Sequence, residues 1–231
     1  MTCPAWYYDD LRQVGVDFED DDQVTRYDER QQTTAADDNR LLDTLGLGPD
    51  QVFVDIGCGT GILVVEAARR CRHAHGVDVS TRMLDHAKKR AVADGIDTIT
   101  FHHAGFLSVE LDDASVDLIT TKYALHHLPD FWKGMALERL HRALKPGGRF
   151  FLRDVVFSAT PAEFPSVAGA WTAWMQANTG YAPEEIAGHI RDEHSTYAWI
   201  MEGLIRTAGF RLVEATYSER AYGDFIAIKD A

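Results

Sequence analysis

The feature that most constrains the fold is a glycine-rich turn that directly follows an apolar run of residues. Val52–Ile56 is predicted to be a buried strand, and Gly57, Gly59 and Gly61 follow it before a predicted helix over 62–70. Glycine tolerates positive φ and lets a ligand approach the backbone closely, and the first amides of a helix attract negatively polarised groups. A strand, a glycine turn and a helix in this order predict a ligand-binding crevice.

The spacing of the glycines excludes the nicotinamide and flavin fingerprint, which requires G-x-G-x-x-G. Ile62 stands where the third glycine counted from Gly57 would fall, and Val64 where it would fall counted from Gly59. The acidic Asp55 precedes the turn instead. We therefore expect a ligand with a cationic group near the turn rather than a pyrophosphate.

Strands and helices alternate along the chain. We predict strands over 51–56, 73–79, 98–103, 116–121, 148–157, 211–218 and 222–229, the last two as a hairpin. We predict further helices over 34–45, 81–94, 131–144 and 196–208. This alternation predicts an α/β protein with a doubly wound sheet that binds ligands at the carboxyl ends of its strands.

Four segments in this order resemble the motifs of the class I S-adenosylmethionine (SAM)-dependent methyltransferases, in particular the methyltransferase type 11 and UbiE-like small-molecule enzymes. They are the glycine turn, Val77–Ser80 after the second strand, Asp117–Leu128 around the fourth strand and Leu144–Leu152 before the fifth. The resemblance implies a Rossmann-like, seven-stranded and mostly parallel sheet whose last strand is antiparallel. It also implies transfer of a methyl group from SAM.

The resemblance assigns residues to the cofactor site. It places Asp55 near the ammonium group of SAM, and it implies that Asp78 accepts hydrogen bonds from the ribose hydroxyls while Val79 and Met83 enclose the adenine. The glycine turn is expected to contact the methionine part of the cofactor through Gly57, Cys58, Gly59 and Gly61. The remaining cofactor-binding candidates are Gly105, Phe106, Lys122, Tyr123 and Tyr27.

One position departs from the pattern of the family. After the third strand the family often has an acidic residue that receives the adenine amino group, whereas this chain has Ala104, Gly105 and Phe106. We therefore expect the adenine to contact the backbone of Gly105 or Phe106, with the Phe106 ring stacked on the base.

The segment 158–195 interrupts the strand–helix pattern after the fifth strand and is predicted to be a helical insertion. It carries Trp171, Trp174 and Tyr181, which together with His127 are the candidates for the substrate pocket. The aromatic residues either form a lid over an apolar or aromatic acceptor or pack as a permanent core.

The chain is predicted to have two parts. Residues 1–33 form an N-terminal segment that is expected to close over the cofactor, and residues 34–231 form the SAM-dependent methyltransferase domain, which includes the helical insertion.

Several histidines are candidates for chemistry. Pairs stand at 73/75, 102/103 and 126/127, but no cysteine or carboxylate lies at a recognised ligand spacing from them, so we predict no metal site. His127 and His194 are candidate general bases. The run Asp192–Thr196 could hold a catalytic pair of an acid and His194, but we interpret Ser195 as a helix N-cap with acidic residues nearby. Because neither histidine has an evident partner in the sequence, alignment of the acceptor is expected to contribute more than any single acid or base.

The amino-acid composition limits the classes of acceptor that the chain is expected to methylate. A formal charge of −13 disfavours a nucleic-acid substrate, whose phosphates require clustered Lys and Arg. The sequence contains no run of about 18 apolar residues, so we predict no membrane span. The three cysteines have neither disulfide nor metal-ligand spacing, which indicates a reducing cytoplasm. We expect a small-molecule acceptor. The alternatives are a SAM-binding protein on the same fold that does not transfer methyl, and an enzyme that methylates RNA or protein.

Overall fold

The computed structural model describes residues 4–12 and 34–231. The strands, numbered in chain order, are β1 Val52–Ile56, β2 His73–Asp78, β3 Ile99–His103, β4 Val116–Lys122, β5 Leu144–Phe157, β6 Thr196–Tyr197, β7 Arg211–Ser218 and β8 Tyr222–Ile228. The α-helices are α1 Ala35–Leu45, α2 Ile62–Ala68, α3 Thr81–Ala93, α4 Asp130–Ala143, α5 Phe164–Asn178, α6 Pro183–Asp192 and α7 Ala198–Thr207. A 3-10 turn spans Leu125–His127.

Seven strands form one sheet in the order β3-β2-β1-β4-β5-β8-β7. Neighbouring strands from β3 to β5 are parallel, while β8 is antiparallel to both β5 and β7. The prediction of a doubly wound, mostly parallel α/β sheet is therefore confirmed. The two-residue β6 pairs with the end of β5 outside this order.

Apolar side chains cover both faces of the sheet. One cluster includes Ile119 and Phe150 of the sheet together with Leu137 of α4 and Ile205 of α7. The cluster on the other face packs helices α1 and α2 against the strands and includes Leu42, Phe53, Leu63, Val64 and Leu118. The two apolar clusters hold the sheet between the helices, and this packing fixes the positions of the strand ends and of the loops that follow them. No helix in the described part of the chain is both long and apolar enough to cross a membrane.

Two helices begin at side-chain caps that the sequence indicates. The hydroxyl of Thr34 accepts a hydrogen bond from the Asp37 amide at the start of α1, and the hydroxyl of Ser80 accepts one from the Met83 amide at the start of α3. The interpretation of Ser195 as an N-cap is wrong. Helix α7 begins at Ala198, and the Ser195 hydroxyl lies 2.9 Å from Nε2 of His189.

The segment after β5 forms helices α5 and α6. Trp171 of α5 and Ile186 of α6 are buried against Val155 and Phe157 of β5. The indole nitrogen of Trp171 donates a hydrogen bond to the Tyr222 hydroxyl at 3.0 Å. Trp171 is therefore part of a packed cluster, whereas Trp174 keeps 38% of its surface exposed.

Gly61 allows helices α2 and α3 to pack closely. Its φ is +85°, and a Cβ at this position would lie 2.7 Å from Cβ of Ala87 in α3. The missing side chain allows the start of α2 to approach α3. The third glycine of the turn is thus explained without a ligand.

The substitution Gly61→Ala is expected to lower the free energy of unfolding by at least about 2 kcal/mol, because it adds strain at positive φ and overlap with Ala87. Equilibrium denaturation with urea measures the change. The matched control is Gly203→Ala in α7, where no atom lies within 4 Å of the new Cβ. That variant should gain about 0.5–1 kcal/mol, because alanine replaces glycine inside a helix. Equal stability of Gly61→Ala and the wild type would contradict the packing role.

Candidate functional site

A cavity of about 750 Å³ lies at the carboxyl ends of the central strands. Gly57 and Gly59 of the turn line one end, and Trp171, Tyr181 and Tyr222 line the other. Its volume falls within the range of about 300–1,000 Å³ that is typical of small-molecule sites. The turn after β1 and the helical insertion thus face the same space.

The carboxylate of Asp78 is fixed by two backbone amides. Its Oδ2 accepts a hydrogen bond from the Gly59 amide at 2.8 Å, and its Oδ1 accepts one from the Ser80 amide at 2.9 Å. Asp78 lies in the cavity wall, and an ionised carboxylate offers two oxygens that accept hydrogen bonds. The geometry therefore presents a rigid acceptor pair to a ligand that carries hydroxyl groups.

Apolar side chains continue the cavity wall beside Asp78. Val79, Met83 and Phe106 lie there as the sequence predicts, and Met83 and Phe106 are almost fully buried. Ala104 and Gly105 complete this part of the wall. Together they form a slot for a flat apolar group.

The slot contains a carboxylate that sequence reasoning missed. Asp10, from the N-terminal segment, is buried in the cavity wall, and its Oδ2 accepts a hydrogen bond from the Leu107 amide at 2.6 Å. A Cβ on Gly105 would lie 2.7 Å from Cγ of Asp10 and would overlap its carboxylate. Asp10 therefore occupies the space that a side chain at position 105 would fill. The residues after the third strand supply no carboxylate of their own, and the N-terminal segment brings one to the same place.

Asp55 and Lys122 lie beneath the turn rather than in the cavity wall. Asp55 is fully buried and accepts a hydrogen bond from the Thr120 hydroxyl at 2.7 Å. Nζ of Lys122 lies 2.6 Å from Oδ1 of the buried Asp38. Burial raises the pKa of Asp55 to about 7, against the opposing effect of the Lys122 charge. The contact of Asp55 with a cofactor ammonium group stays a prediction.

Cys58 and Gly61 also lie outside the cavity wall. The Cys58 amide donates to the Val77 carbonyl at 3.0 Å, and its side chain is buried in the cluster around α1 and α2. Tyr27, the last cofactor candidate, falls outside the described residues.

Tyr123 lines the cavity in an unusual backbone conformation. Its φ is +53°, and its amide donates to the Arg153 carbonyl at 2.8 Å. Burial raises the pKa of its hydroxyl to about 12. A positive φ at a residue other than glycine costs of order 1–3 kcal/mol and is often found in binding sites.

A buried charged cluster borders the end of the cavity that the helical insertion lines, which is the predicted acceptor end. Nδ1 of His126 lies 2.5 Å from Oδ1 of Asp154, and Nε2 lies 3.2 Å from Oε2 of Glu193. The same oxygen of Glu193 is ion-paired with Nδ1 of His189. Burial alone would lower the pKa of His126, but the two carboxylates outweigh it and raise that pKa to about 9.

The two candidate bases occupy different places. His127 lies in the cavity wall, where burial and the neighbouring His126 lower its pKa to about 3. His194 is not in the wall, and its amide donates to the His126 carbonyl at 2.9 Å. Glu193, one position earlier, faces the cavity instead. The sequence contained this acid within the run that we interpreted as helix capping.

The four substrate-pocket candidates come together at the acceptor end. His127, Trp171, Trp174 and Tyr181 all line the cavity. Arg153 and Asp224 form an ion pair at 2.5 Å in the same wall. The acceptor end therefore combines aromatic surface with a few charged groups.

Comparisons with known proteins place these features in a family. The profile of the family described as "methyltransferase domain" matches residues 53–148. The 27-O-demethylrifamycin SV methyltransferase of Amycolatopsis mediterranei is 34% identical over 130 residues, which cover 54% of this chain and 46% of that protein. The ubiquinone/menaquinone biosynthesis C-methyltransferase UbiE of Brucella anthropi is 28% identical over 160 residues, 68% of this chain and 57% of that protein. The chain thus spans about half the length of these curated relatives.

A solved structure agrees at the level of the fold. The SAM-dependent methyltransferase of Aquifex aeolicus has a TM-score of 0.66 and 18% identity over 91% of this chain and 98% of that one. The profile match shows that residues 53–148 form a methyltransferase domain, the curated relatives are methyltransferases, and the solved structure shows that the chain has the fold of a SAM-dependent methyltransferase.

The raised pKa of Asp55 predicts a pH-dependent stability. The folded pKa of about 7 exceeds the ordinary value of 3.8, so the folded state binds the proton more tightly than the unfolded state. The contribution of Asp55 to stability therefore falls as the pH rises from about 4 to about 7. Asn at this position does not titrate. Relative to the wild type, Asp55→Asn should gain about 1–3 kcal/mol between pH 5 and pH 8.

Urea denaturation of the cofactor-free protein at both pH values measures this gain. Asp85→Asn, on the exposed surface of α3, is the control and should differ from the wild type by the same amount at both pH values. The same behaviour for Asp55→Asn would show that Asp55 is already ionised in the folded protein at pH 5.

Proposed function

We propose that the chain transfers the methyl group of SAM to a small-molecule acceptor by in-line displacement. The observation that carries the proposal is the shared cavity, which has Gly57, Gly59 and Asp78 at one end and aromatic residues of the insertion at the other. The family supplies the cofactor, and the cavity gives cofactor and acceptor a common space in which the methyl group can pass directly between them.

The chemistry requires alignment above all. A lone pair of the acceptor forms the new bond to the methyl carbon, while the bond from sulfur breaks and its electron pair stays on sulfur. Sulfur loses its positive charge in this step, so strong anionic stabilisation of the sulfonium would oppose the reaction. The main contributions of the protein are therefore to hold the two reactants in line and to exclude water.

Asp78 is proposed to hold the ribose, and the backbone of Gly57 and Gly59 to hold the methionine part of SAM. The two amides that fix the Asp78 carboxylate also hold it in the cavity wall. A prepositioned acceptor loses less freedom when the ligand binds.

Asp10 is proposed to receive the exocyclic amino group of the adenine. The slot formed by Val79, Met83 and Phe106 suits a flat base, and the Asp10 carboxylate is a hydrogen-bond acceptor at its wall. Leu107 occupies one lone pair of this carboxylate, which leaves others for an amino donor. The absence of a side chain at Gly105 makes room for this arrangement.

The acceptor is proposed to have a flat apolar body and a polar reacting group. Trp171, Trp174, Tyr181 and Tyr222 provide aromatic surface, and His127 lies in the same wall. The two curated relatives are named for 27-O-demethylrifamycin SV and for ubiquinone/menaquinone biosynthesis, which supports a small-molecule acceptor. The net charge of −13 argues against a polyanionic one.

The proposed activity predicts label transfer from SAM. Incubating the protein with methyl-labelled SAM and a metabolite extract should move label into a new small-molecule product, detected by chromatography and mass spectrometry.

Asp78→Ala should reduce the affinity for SAM and its demethylated product about 10- to 100-fold, because hydrogen bonds to a carboxylate are lost. Calorimetry measures this change, and Asp85→Ala on the exposed surface of α3 is the control.

Binding of SAM without label in any product across extracts would favour the alternative of a SAM-binding protein that does not transfer methyl. Unchanged affinity in Asp78→Ala, with the fold intact by circular dichroism, would remove Asp78 from the site.

The assignment of Asp10 predicts that a carboxylate introduced at position 105 restores the SAM affinity lost in Asp10→Ala. Asp10→Ala should weaken SAM binding about 10- to 100-fold, because a charge-assisted hydrogen bond contributes roughly 1.5–3 kcal/mol. Adding Gly105→Asp to Asp10→Ala returns a carboxylate to the same space and should restore much of the affinity. Gly105→Asp alone should be destabilising, because it overlaps the Asp10 carboxylate.

A cofactor analogue tests the contact with the base directly. S-inosylhomocysteine, which has a carbonyl in place of the amino group, should bind the wild type more weakly than S-adenosylhomocysteine, and Asp10→Ala should reduce this preference. An equal preference in both proteins would contradict the assignment.

A further inference from the structure

Three side chains from two separate segments converge at the acceptor end of the cavity. His126 and His127 belong to the 3-10 turn after β4, and Glu193 follows helix α6. One potential ligand atom from each lies within 4.8 Å of the others, and Nε2 of His126 is 3.2 Å from Oε2 of Glu193. Two atoms at about 2.1 Å from one metal ion, at a right angle, are about 3 Å apart. The spacing therefore fits a shared cation.

The ring of His126 is oriented by a carboxylate on its far side. Asp154 is fully buried, its Oδ1 lies 2.5 Å from Nδ1 of His126, and its Oδ2 accepts from the His126 amide at 2.8 Å. This arrangement turns Nε2 toward Glu193. Histidines that bind metals almost always donate their other ring N–H to such a partner, which fixes the tautomer and the ring.

Glu193 is held in the same way from its own segment. Its Oε2 is ion-paired with Nδ1 of His189, whose Nε2 lies 2.9 Å from the Ser195 hydroxyl. The His194 amide donates to the His126 carbonyl at 2.9 Å and joins the two segments. His126 and Glu193 are thus positioned by packing and hydrogen bonds, as a preorganised site requires.

We propose that His126, His127 and Glu193 bind a divalent transition-metal ion beside the acceptor, and that Asp154 and His189 position two of these ligands. Two imidazoles and one carboxylate are a donor set that such ions accept while keeping open coordination positions. All three residues line the cavity, so the open positions face it. This proposal departs from the sequence-based expectation of no metal site, which considered only the spacing of residues along the chain.

The role of the ion in catalysis rests on the proposed function, whereas its binding does not. In a methyltransferase, an oxygen of the acceptor would occupy an open position, and the cation would lower the pKa of that hydroxyl. The acceptor class would then be a hydroxyl compound with a flat apolar body. Without a cation, a proton on His126 would supply the positive charge between Asp154 and Glu193. A metal titration distinguishes the bound ion from the proton.

The test is metal binding by the full-length protein. After treatment with EDTA and dialysis, the protein is titrated with ZnCl₂ by calorimetry and with CoCl₂ by visible absorption, and the bound metal is counted by mass spectrometry. We expect one equivalent per chain. Glu193→Gln and His126→Ala should each lose at least about 10-fold in affinity, and Asp154→Asn should lose about 10- to 100-fold, as is typical when the partner of a ligand is removed.

Two matched controls separate this site from adventitious binding. Asp192→Asn makes the carboxylate-to-amide change one position from Glu193 at an exposed residue and should leave the affinity unchanged. His75→Ala removes a histidine from the β2–β3 surface, where Nδ1 of His75 lies 3.0 Å from Nε2 of His102, and should also leave it unchanged. Binding that survives Glu193→Gln, with the fold intact by circular dichroism, or that disappears in His75→Ala would overturn the proposal, as would the absence of any bound equivalent.

The outcomes distinguish this inference from the proposed function. One bound equivalent without label transfer in any extract would leave the metal site standing and favour the SAM-binding protein that does not transfer methyl. Label transfer by a protein that binds no metal would leave the function standing and show that the cluster is an ion-pair network.

Discussion

The hydrogen bond from the Gly59 amide to the Asp78 carboxylate joins the two strand ends on which the proposed cofactor site depends. The Gly57 and Cys58 amides both donate to the Val77 carbonyl, so the turn after β1 is bonded to the end of β2 at three points. The crevice therefore has its shape before any ligand enters. Positive φ at Gly57 and Gly59 is what allows successive amides to point toward the neighbouring strand.

Most of the fold could be predicted because its signals are local. The periodicity of apolar residues and the glycines after helices located α1, α3 and the terminal hairpin to within a residue or two. The start of β5 was less well predicted. Leu144 already pairs with Val116, and the register then shifts before Arg149 pairs with Leu118. A turn signal such as Pro146–Gly148 cannot reveal that the chain continues as a bulged strand, because that depends on the neighbouring strand.

The candidate site was only partly predictable for the same reason. Residues that belong to consecutive motifs, such as Gly57, Asp78 and Met83, lie in the cavity wall as expected. Asp10, Asp154 and Glu193 were missed, because each acts through a contact with a residue far away in the sequence. The acidic run around Glu193 was visible, but its neighbours suggested a cap. Only the packing of the insertion onto the 3-10 turn shows which acid faces the cavity.

The position of Asp10 has a consequence for comparing proteins of this kind. The family profile begins at residue 53, whereas this carboxylate lies in the wall of the slot beside Phe106 and is contributed by the segment 4–12. Similarity scores over the shared motifs therefore carry no information about it. Homologues that align equally well over the motifs can therefore differ in this wall. To group them by the proposed cofactor pocket, two places must be compared together: the segment that precedes residue 53 and the residues that follow the third strand.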